Sequence, residues 1–221
     1  MLAFLAEIDW GDVAQAGADT LTMLAWALGF TVLIGLPLGV VLYLTGQPRL
    51  LHAPMLYRVL SLLVNVLRSL PFIILLIVMI PLTTLITGTS LGVEGTIPPL
   101  VAGCAPFFAR LVETSLREVD HGLVEASWAM GGSTWQLIWY TLLPEARSGL
   151  IAAVTVTAIV LVDYTSMAGV IGGGGLGDLA IRFGYQRFQT DVMAVTVVLL
   201  IALVQVLQMS GDRLVRRMSR Q

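Results

Sequence analysis

Polar side chains are scarce in this sequence, so those set in apolar surroundings are where chemistry must be sought. Asp163 interrupts an otherwise apolar run and stands four residues before Met167, a spacing that puts carboxylate and thioether on one helical face. The carboxylate needs a partner or water: it could accept a hydrogen bond from a neighbouring helix, face a wet cavity, or lie at a membrane interface. Met167, flexible and apolar, reads by itself as a space-filling core residue. Arg110 and Glu113, three apart, are expected to pair with each other. Arg68, just before Pro71, either snorkels to the interface or reaches the next span. Further on, a polar gap holds Glu125, Ala126, Ser127, Met130 and Gly131, and then Leu143 and Pro144.

Bond-breaking chemistry finds little support. His52 and His121 fall in polar loops, and Asp163 is the lone aspartate inside an apolar stretch, so an aspartyl pair would need a second copy of the chain. All twelve cationic side chains are Arg, so the lysine of a phosphate-binding Gly-x-x-x-x-Gly-Lys loop cannot be present. Gly172 to Gly177 satisfies a bare Gly-x-Gly-x-x-Gly pattern but follows an apolar span rather than a strand, and reads as a flexible or tightly turned exit from that span. The single Cys104 rules out an internal disulfide, and a net charge of −2 argues against nucleic acid. The chain is therefore expected to be no enzyme, with no cofactor or metal of its own.

The elements that position these residues follow from composition. With 57% hydrophobic and 12% charged residues and a mean hydropathy of +0.90, the chain is an all-α membrane protein in contact with the lipid bilayer. Five charge-poor windows are long enough to cross about 30 Å of hydrocarbon as helices, giving spans at about 20–45, 60–82, 96–117, 147–168 and 191–212 of a single domain, 1–221. Pro71 and Pro81 are expected to kink the second span, with Arg68 at its cytoplasmic end.

Eight arginines fall on the side carrying Arg49, Arg58, the 119–145 loop and the tail after Gly211, against Arg182 and Arg187 on the other. The excess places the first side in the cytoplasm and the N-terminus outside. The acidic N-terminal segment, with Glu7, Asp9, Asp12 and Asp19, is not expected to be a signal peptide. Within the cytoplasmic loop, Asp120 is expected to cap a short helix over 121–130 that Gly131 and Gly132 end. Ser133 with Gln136 forms a capping box for the next helix.

Glu125-Ala126-Ser127, Gly131 and Leu143-Pro144 resemble the EAA signature of ABC-importer permeases, departing only in Ser127 for Ala and Thr141 for Ile. The runs 65–75, 105–107 and 163–167 are similar to those of the methionine-uptake permeases. The resemblance implies a five-span type I importer permease fold in the bacterial inner membrane, with a cytoplasmic coupling helix. Glu125, Ala126, Ser127, Met130, Gly131, Leu143 and Pro144 would meet the ATPase. The implied assembly is a homodimer with two ATP-binding subunits, which use ATP and Mg, and an extracytoplasmic substrate-binding protein or lipoprotein. Met167, Asp163, Tyr164, Ser166, Arg68, Ser69 and Pro71 would line the translocation path. The implied substrate is D- or L-methionine, with another amino acid or a betaine-type osmolyte as the alternative. A structural membrane subunit without transport is the competing class.

Overall fold

The computed structural model describes residues 9–47, 50–51 and 53–218. Glu7, Pro48, Arg49, His52 and Arg220 lie outside the described residues. Among the described residues there are eleven α-helical segments and no strand.

The first helix begins earlier than its charge-free window because Asp9 caps it: Oδ1 accepts from the N–H of Gly11 at 2.8 Å and of Asp12 at 3.4 Å. Helix α1 (Trp10–Gly46) has 37 residues, about 55 Å at 1.5 Å per residue, which exceeds the hydrocarbon thickness. It lies along α5 (Gly92–Arg117). Gly35 and Gly39 permit this: a Cβ on Gly39 would stand 2.6 Å from the Ala109 carbonyl oxygen, and one on Gly35 2.8 Å from the Phe108 ring. Close backbone approach of this kind drives helix pairing where surrounding lipid removes the hydrophobic difference. The Gly-x-x-x-Gly spacing was a legible signal for it.

Between these helices the second span departs from the expected kinked rod. Helix α2 (Pro54–Ser69) stops at Leu70–Pro71, and α3 (Phe72–Val78) leaves at an angle of 103°. Pro71 has no N–H to continue the ladder and biases Leu70 out of helical geometry; Leu70 sits at φ −77°, ψ 129°. Pro81 bends nothing, because it occupies the first turn of a separate helix, α4 (Ile80–Thr87), where proline is tolerated. Arg68 is corrected accordingly. It lies at the far end of α2, about 21 Å along the helix from Pro54, at the break and not at the span's entrance.

The chain continues through α6 (His121–Ala129), α7 (Thr134–Gln136), a π-helical stretch Leu137–Leu142 and α8 (Leu143–Glu145) into α9 (Arg147–Ala168). After α10 (Gly175–Leu179) and a second π-helical stretch, Ala180–Tyr185, α11 (Thr190–Met218) closes the fold. Among the described residues α1, α5, α9 extended to Ile171, and α11 are each long and apolar enough to cross a membrane, four spans, or five where the bent pair α2–α3 is taken as one broken span rather than a re-entrant loop.

The two largest of four apolar clusters among the described residues stack along the bundle. One joins Met23, Ala27, Phe72, Leu100, Cys104 and Leu161. The other joins Tyr43, Phe108, Val112, Leu116, Leu137 and Leu142, at the end that carries α6. Some buried threonines satisfy their hydroxyls by donating to the carbonyl four residues back, as Thr157 does to Ala153 and Thr196 to Val192, whereas the hydroxyls of Thr31 and Thr83 are buried without a partner.

The glycine run is tightly turned rather than loose. Gly172, Gly174 and Gly175 hold φ of 83°, 79° and 79°, a left-handed region that a side chain would strain. The turn folds α10 back onto the bundle, where the Leu176 N–H donates to Thr20 Oγ1 at 2.8 Å. A Cβ on Gly177 would collide with the backbone of Ser166. Backbone cannot yield as a side-chain tip can, so Gly177→Ala is expected to cost about 1–3 kcal/mol. It should lower the thermal midpoint of the detergent-solubilised protein. Gly17→Ala, whose Cβ meets nothing within 4 Å, serves as the control; equal midpoints for the two variants would refute this account of the packing.

Candidate functional site

The polar gap of the sequence becomes a short helix held at both ends. Asp120 Oδ1 accepts from the Gly122 N–H at 2.7 Å and starts α6. At the other end the Met130 N–H donates to Ala126 O (3.1 Å) and the Gly131 N–H to Trp128 O (2.9 Å), while Gly131 takes φ 79°. Left-handed geometry at that point lets the last carbonyls find partners as the chain reverses. Ser133 and Gln136 then form the reciprocal capping box: Gln136 Oε1 accepts from the Ser133 N–H at 2.8 Å and Ser133 Oγ from the Gln136 N–H at 3.3 Å.

None of the residues of α6 is buried. Leu123 and, just past the end of the helix, Met130 are exposed, Met130 to 83%; with Trp128 on another face, α6 turns an apolar edge outward. Behind it lies a cavity of about 320 Å³ walled by Tyr43, Gln47, Leu50, His121, Glu125 and Trp128. The segment that follows is anchored firmly. Leu137 and Leu142 are fully buried in the same core as Tyr43, Val112 and Leu116, so displacement of α6 must be felt by α1 and α5. The stretch Leu137–Leu142 is π-helical, which no sequence signal announced. It widens the turns just ahead of Pro144, whose ring cannot sit against the carbonyl four residues earlier in a tight α-turn. Leu143 and Pro144 lie in α8, a joint before α9; Pro144 therefore opens this joint and not the span itself.

The charged residues of α5 form a clamp. Glu113, with its side chain 3% exposed, receives Arg110 and, at 2.7 Å, Arg117. Tyr57 Oη also donates to Glu113, at 3.3 Å. Arg110 reaches across to Ser61 Oγ and, at 3.0 Å, Asn65 Oδ1 on α2. The expected Arg110–Glu113 pair is thus one edge of a larger network that fastens α2 to α5.

Seven residues were expected around a path, and the fold separates them. Asp163 and Met167 are both exposed along α9, on the face that the isolated chain leaves uncovered. Tyr164 turns inward and stacks on Phe72, with ring centroids 4.1 Å apart. Arg68 lies over the Phe107 ring of α5 at 5.7 Å. Arg68, Phe72, Phe107 and Tyr164 share a cavity of about 100 Å³ with Gly103. Pro71 sets its rim by bending the chain there. Ser69 donates to Val66 O on its own helix at 2.7 Å, and Ser166 packs its backbone against Gly177, so neither joins the cavity. Gly103, Phe72 and Phe107 escaped sequence reasoning as site residues. The only hint was the run of small residues 102–105.

The family profile for binding-protein-dependent transport system inner membrane components matches residues 20–220. A Vibrio cholerae protein, named a probable D-methionine transport system permease protein MetI, is 50% identical over 88% of this chain and 85% of its own. The Bacillus subtilis methionine import system permease protein MetP is 40% identical over 95% of this chain and 94% of its own. Among solved structures, a chain of the MetNI methionine ABC transporter in an inward-facing conformation superposes with a TM-score of 0.91 at 46% identity, covering 94% of this chain and 96% of that one.

Proposed function

The chain belongs to the family of binding-protein-dependent transport system inner membrane components, and on that footing we propose that it is the channel-forming permease of an ATP-binding cassette importer for D- and L-methionine. The observation that carries the mechanism is the outward-facing helix α6, capped at Asp120 and Gly131 and continuous with a segment buried in the bundle core. A helix with an exposed apolar edge and a rigid root suits docking into a groove of another subunit. Motion there would be delivered to α1, α5 and α9 as a lever, because packed cores rearrange between discrete states and do not deform continuously.

In this reading two copies of the permease pair about a two-fold axis, so the path is lined by the same residues from both. The uncovered face of α9 supplies them: Met167 closes against its mate, and Asp163 forms a charged ring one turn away. Two ATPase subunits, with ATP and Mg, drive α6. A binding protein outside delivers substrate at the end of the bundle where Gly92 and Gly172 are hydrogen-bonded. The arginine excess at the α6 end supports a cytoplasmic position for that end.

The test is uptake of labelled L-methionine into vesicles that hold the permease with its ATPase, with the binding protein added outside. Uptake should require ATP. Excess unlabelled D- or L-methionine should suppress it, and excess glycine betaine should leave it unchanged. Suppression by betaine but not by methionine would overturn the substrate assignment, and uptake without ATP would overturn the importer.

A further inference from the structure

We infer that the permease carries a site for one anionic glycerophospholipid: a groove between α1, α9 and α11 takes an acyl chain, and arginines at its mouth hold the headgroup phosphate. The inference depends neither on the importer reading nor on its substrate. The groove has a volume of about 370 Å³ and is walled by Val32, Leu36, Ile151, Val154, Leu207 and Leu214, among others. It occupies one half of the bundle. Towards the other end the same three helices close on one another, where Met23, Ala27 and Leu161 form a core against which Leu200 and Leu203 pack. From Leu150 to Ala158 the groove follows α9 for about 12 Å, and from Leu28 to Leu36 it follows α1 for the same distance. That is close to one leaflet of a hydrocarbon layer about 30 Å thick. A spanning helix from a second copy would need a slot through both leaflets, whereas an acyl chain needs only one. Water finds little to bind there, because Thr155 in the wall already donates to Ile151 O at 2.9 Å and the remaining lining is apolar apart from Ser210. An empty groove would forfeit the dispersion contacts of its walls.

The mouth is cationic. Arg147 stands one turn before Leu150 and Ile151 on α9, and its Nη2 donates to Met218 O of α11 at 3.2 Å, which holds it between the two helices. On α11, Arg213 and Arg217 follow Ser210 at spacings of three and then four, so the three share one helical face. Neither Arg213 nor Arg217 is joined to a carboxylate by an ion pair among the described residues. The carboxylates on these segments are Glu145 and Asp212, and Asp212 accepts from Gln208 Nε2 at 3.0 Å. Counting Arg216, the arginines exceed them. A guanidinium fork matches phosphate oxygens, and basic pockets between helices at a membrane surface select anionic headgroups. A zwitterionic lipid would bring its ammonium to the same arginine excess. The bound chain would join α11, the least buried of the long helices, to α1.

The experiment adds phosphatidylglycerol with a diazirine on its acyl chain to the purified permease–ATPase complex in detergent, irradiates, and maps the labelled peptides. Mass spectrometry counts the phosphatidylglycerol that survives extensive washing. One molecule per permease chain should remain, with labels on residues 150–158 and 207–214. Unlabelled phosphatidylglycerol should compete about tenfold better than phosphatidylethanolamine. Arg213→Gln combined with Arg217→Gln should lower labelling by about tenfold or more. Ile151→Phe, which fills the groove and changes no charge, should lower it too and keeps the test decisive if the arginine variant assembles poorly. Val198→Phe, on an exposed part of α11 outside the groove, should leave labelling unchanged. Labels spread evenly over the apolar surface, with the two lipids competing equally, would reveal only bulk lipid and overturn the site. Ile151→Cys chains that link to each other by a disulfide in membranes would give the groove to a second copy and overturn it as well.

Discussion

Gly131→Pro is expected to abolish ATP-driven uptake while the chain still inserts into the membrane. Gly131 holds φ 79°, which proline, fixed near −65°, cannot adopt. Its N–H also donates to Trp128 O, and proline has none. The substitution should therefore cost about 3 kcal/mol or more locally, enough to unwind the end of α6 and detach the lever from its root. Gly131→Ala separates conformation from space, because a Cβ at this position meets nothing within 4 Å. Only the left-handed backbone is then penalised, by about 1–2 kcal/mol, and uptake should fall partway. The measurement pairs uptake rate with copurification of the ATPase. A Gly131→Pro chain that retains both at wild-type level would refute the lever.

Glu113→Ala is expected to be the most destabilising single change in the bundle. The carboxylate is almost wholly buried and serves Arg110, Arg117 and Tyr57 together. Removing it strands Arg110, whose side chain is 18% exposed, while Arg117, 47% exposed, turns to water; breaking a buried pair typically costs about 3–5 kcal/mol, and the exposed partner adds little. Arg110 would also lose the anchor that orients it toward Ser61 and Asn65 on α2, so the bent pair α2–α3 should loosen as well. The readout is the thermal midpoint of the detergent-solubilised complex. Glu113→Gln should cost less, since an amide oxygen still accepts hydrogen bonds. Replacing Glu113, Arg110 and Arg117 together by methionine should cost less than Glu113→Ala, because no charge is left uncompensated. Equal midpoints for wild type and Glu113→Ala would dismiss the clamp.

Local chemistry was legible in particular places. Asp120, Gly131 and the Ser133–Gln136 box could be assigned because capping depends on residues within four positions of each other. The Arg110–Glu113 pair was readable for the same reason. Its connection to Ser61, Asn65 and Tyr57 was not, because those residues come from a separate helix. Pro71 announced a disturbance but not its size: missing hydrogen bonds permit a kink or a break, and only the packing of α3 onto α5 and α9 selects the 103° turn. Arg68 was misplaced as a consequence. The glycine run had two readings until Thr20 and Ser166 were seen to press against it.

By itself the sequence determined a helical membrane chain, the capped surface helix and the register of Glu125, Gly131 and Pro144, all of which rest on composition or on contacts within one helical turn. The tertiary structure alone decided the place of Arg68 at the break between α2 and α3, its meeting with Tyr164 around Gly103, the clamp between α2 and α5, and the docking of the glycine turn on α1. Those arrangements depend on how closely two backbones approach across tens of residues. That distance is set by packing between helices in a medium that supplies no hydrophobic difference to reveal the buried face.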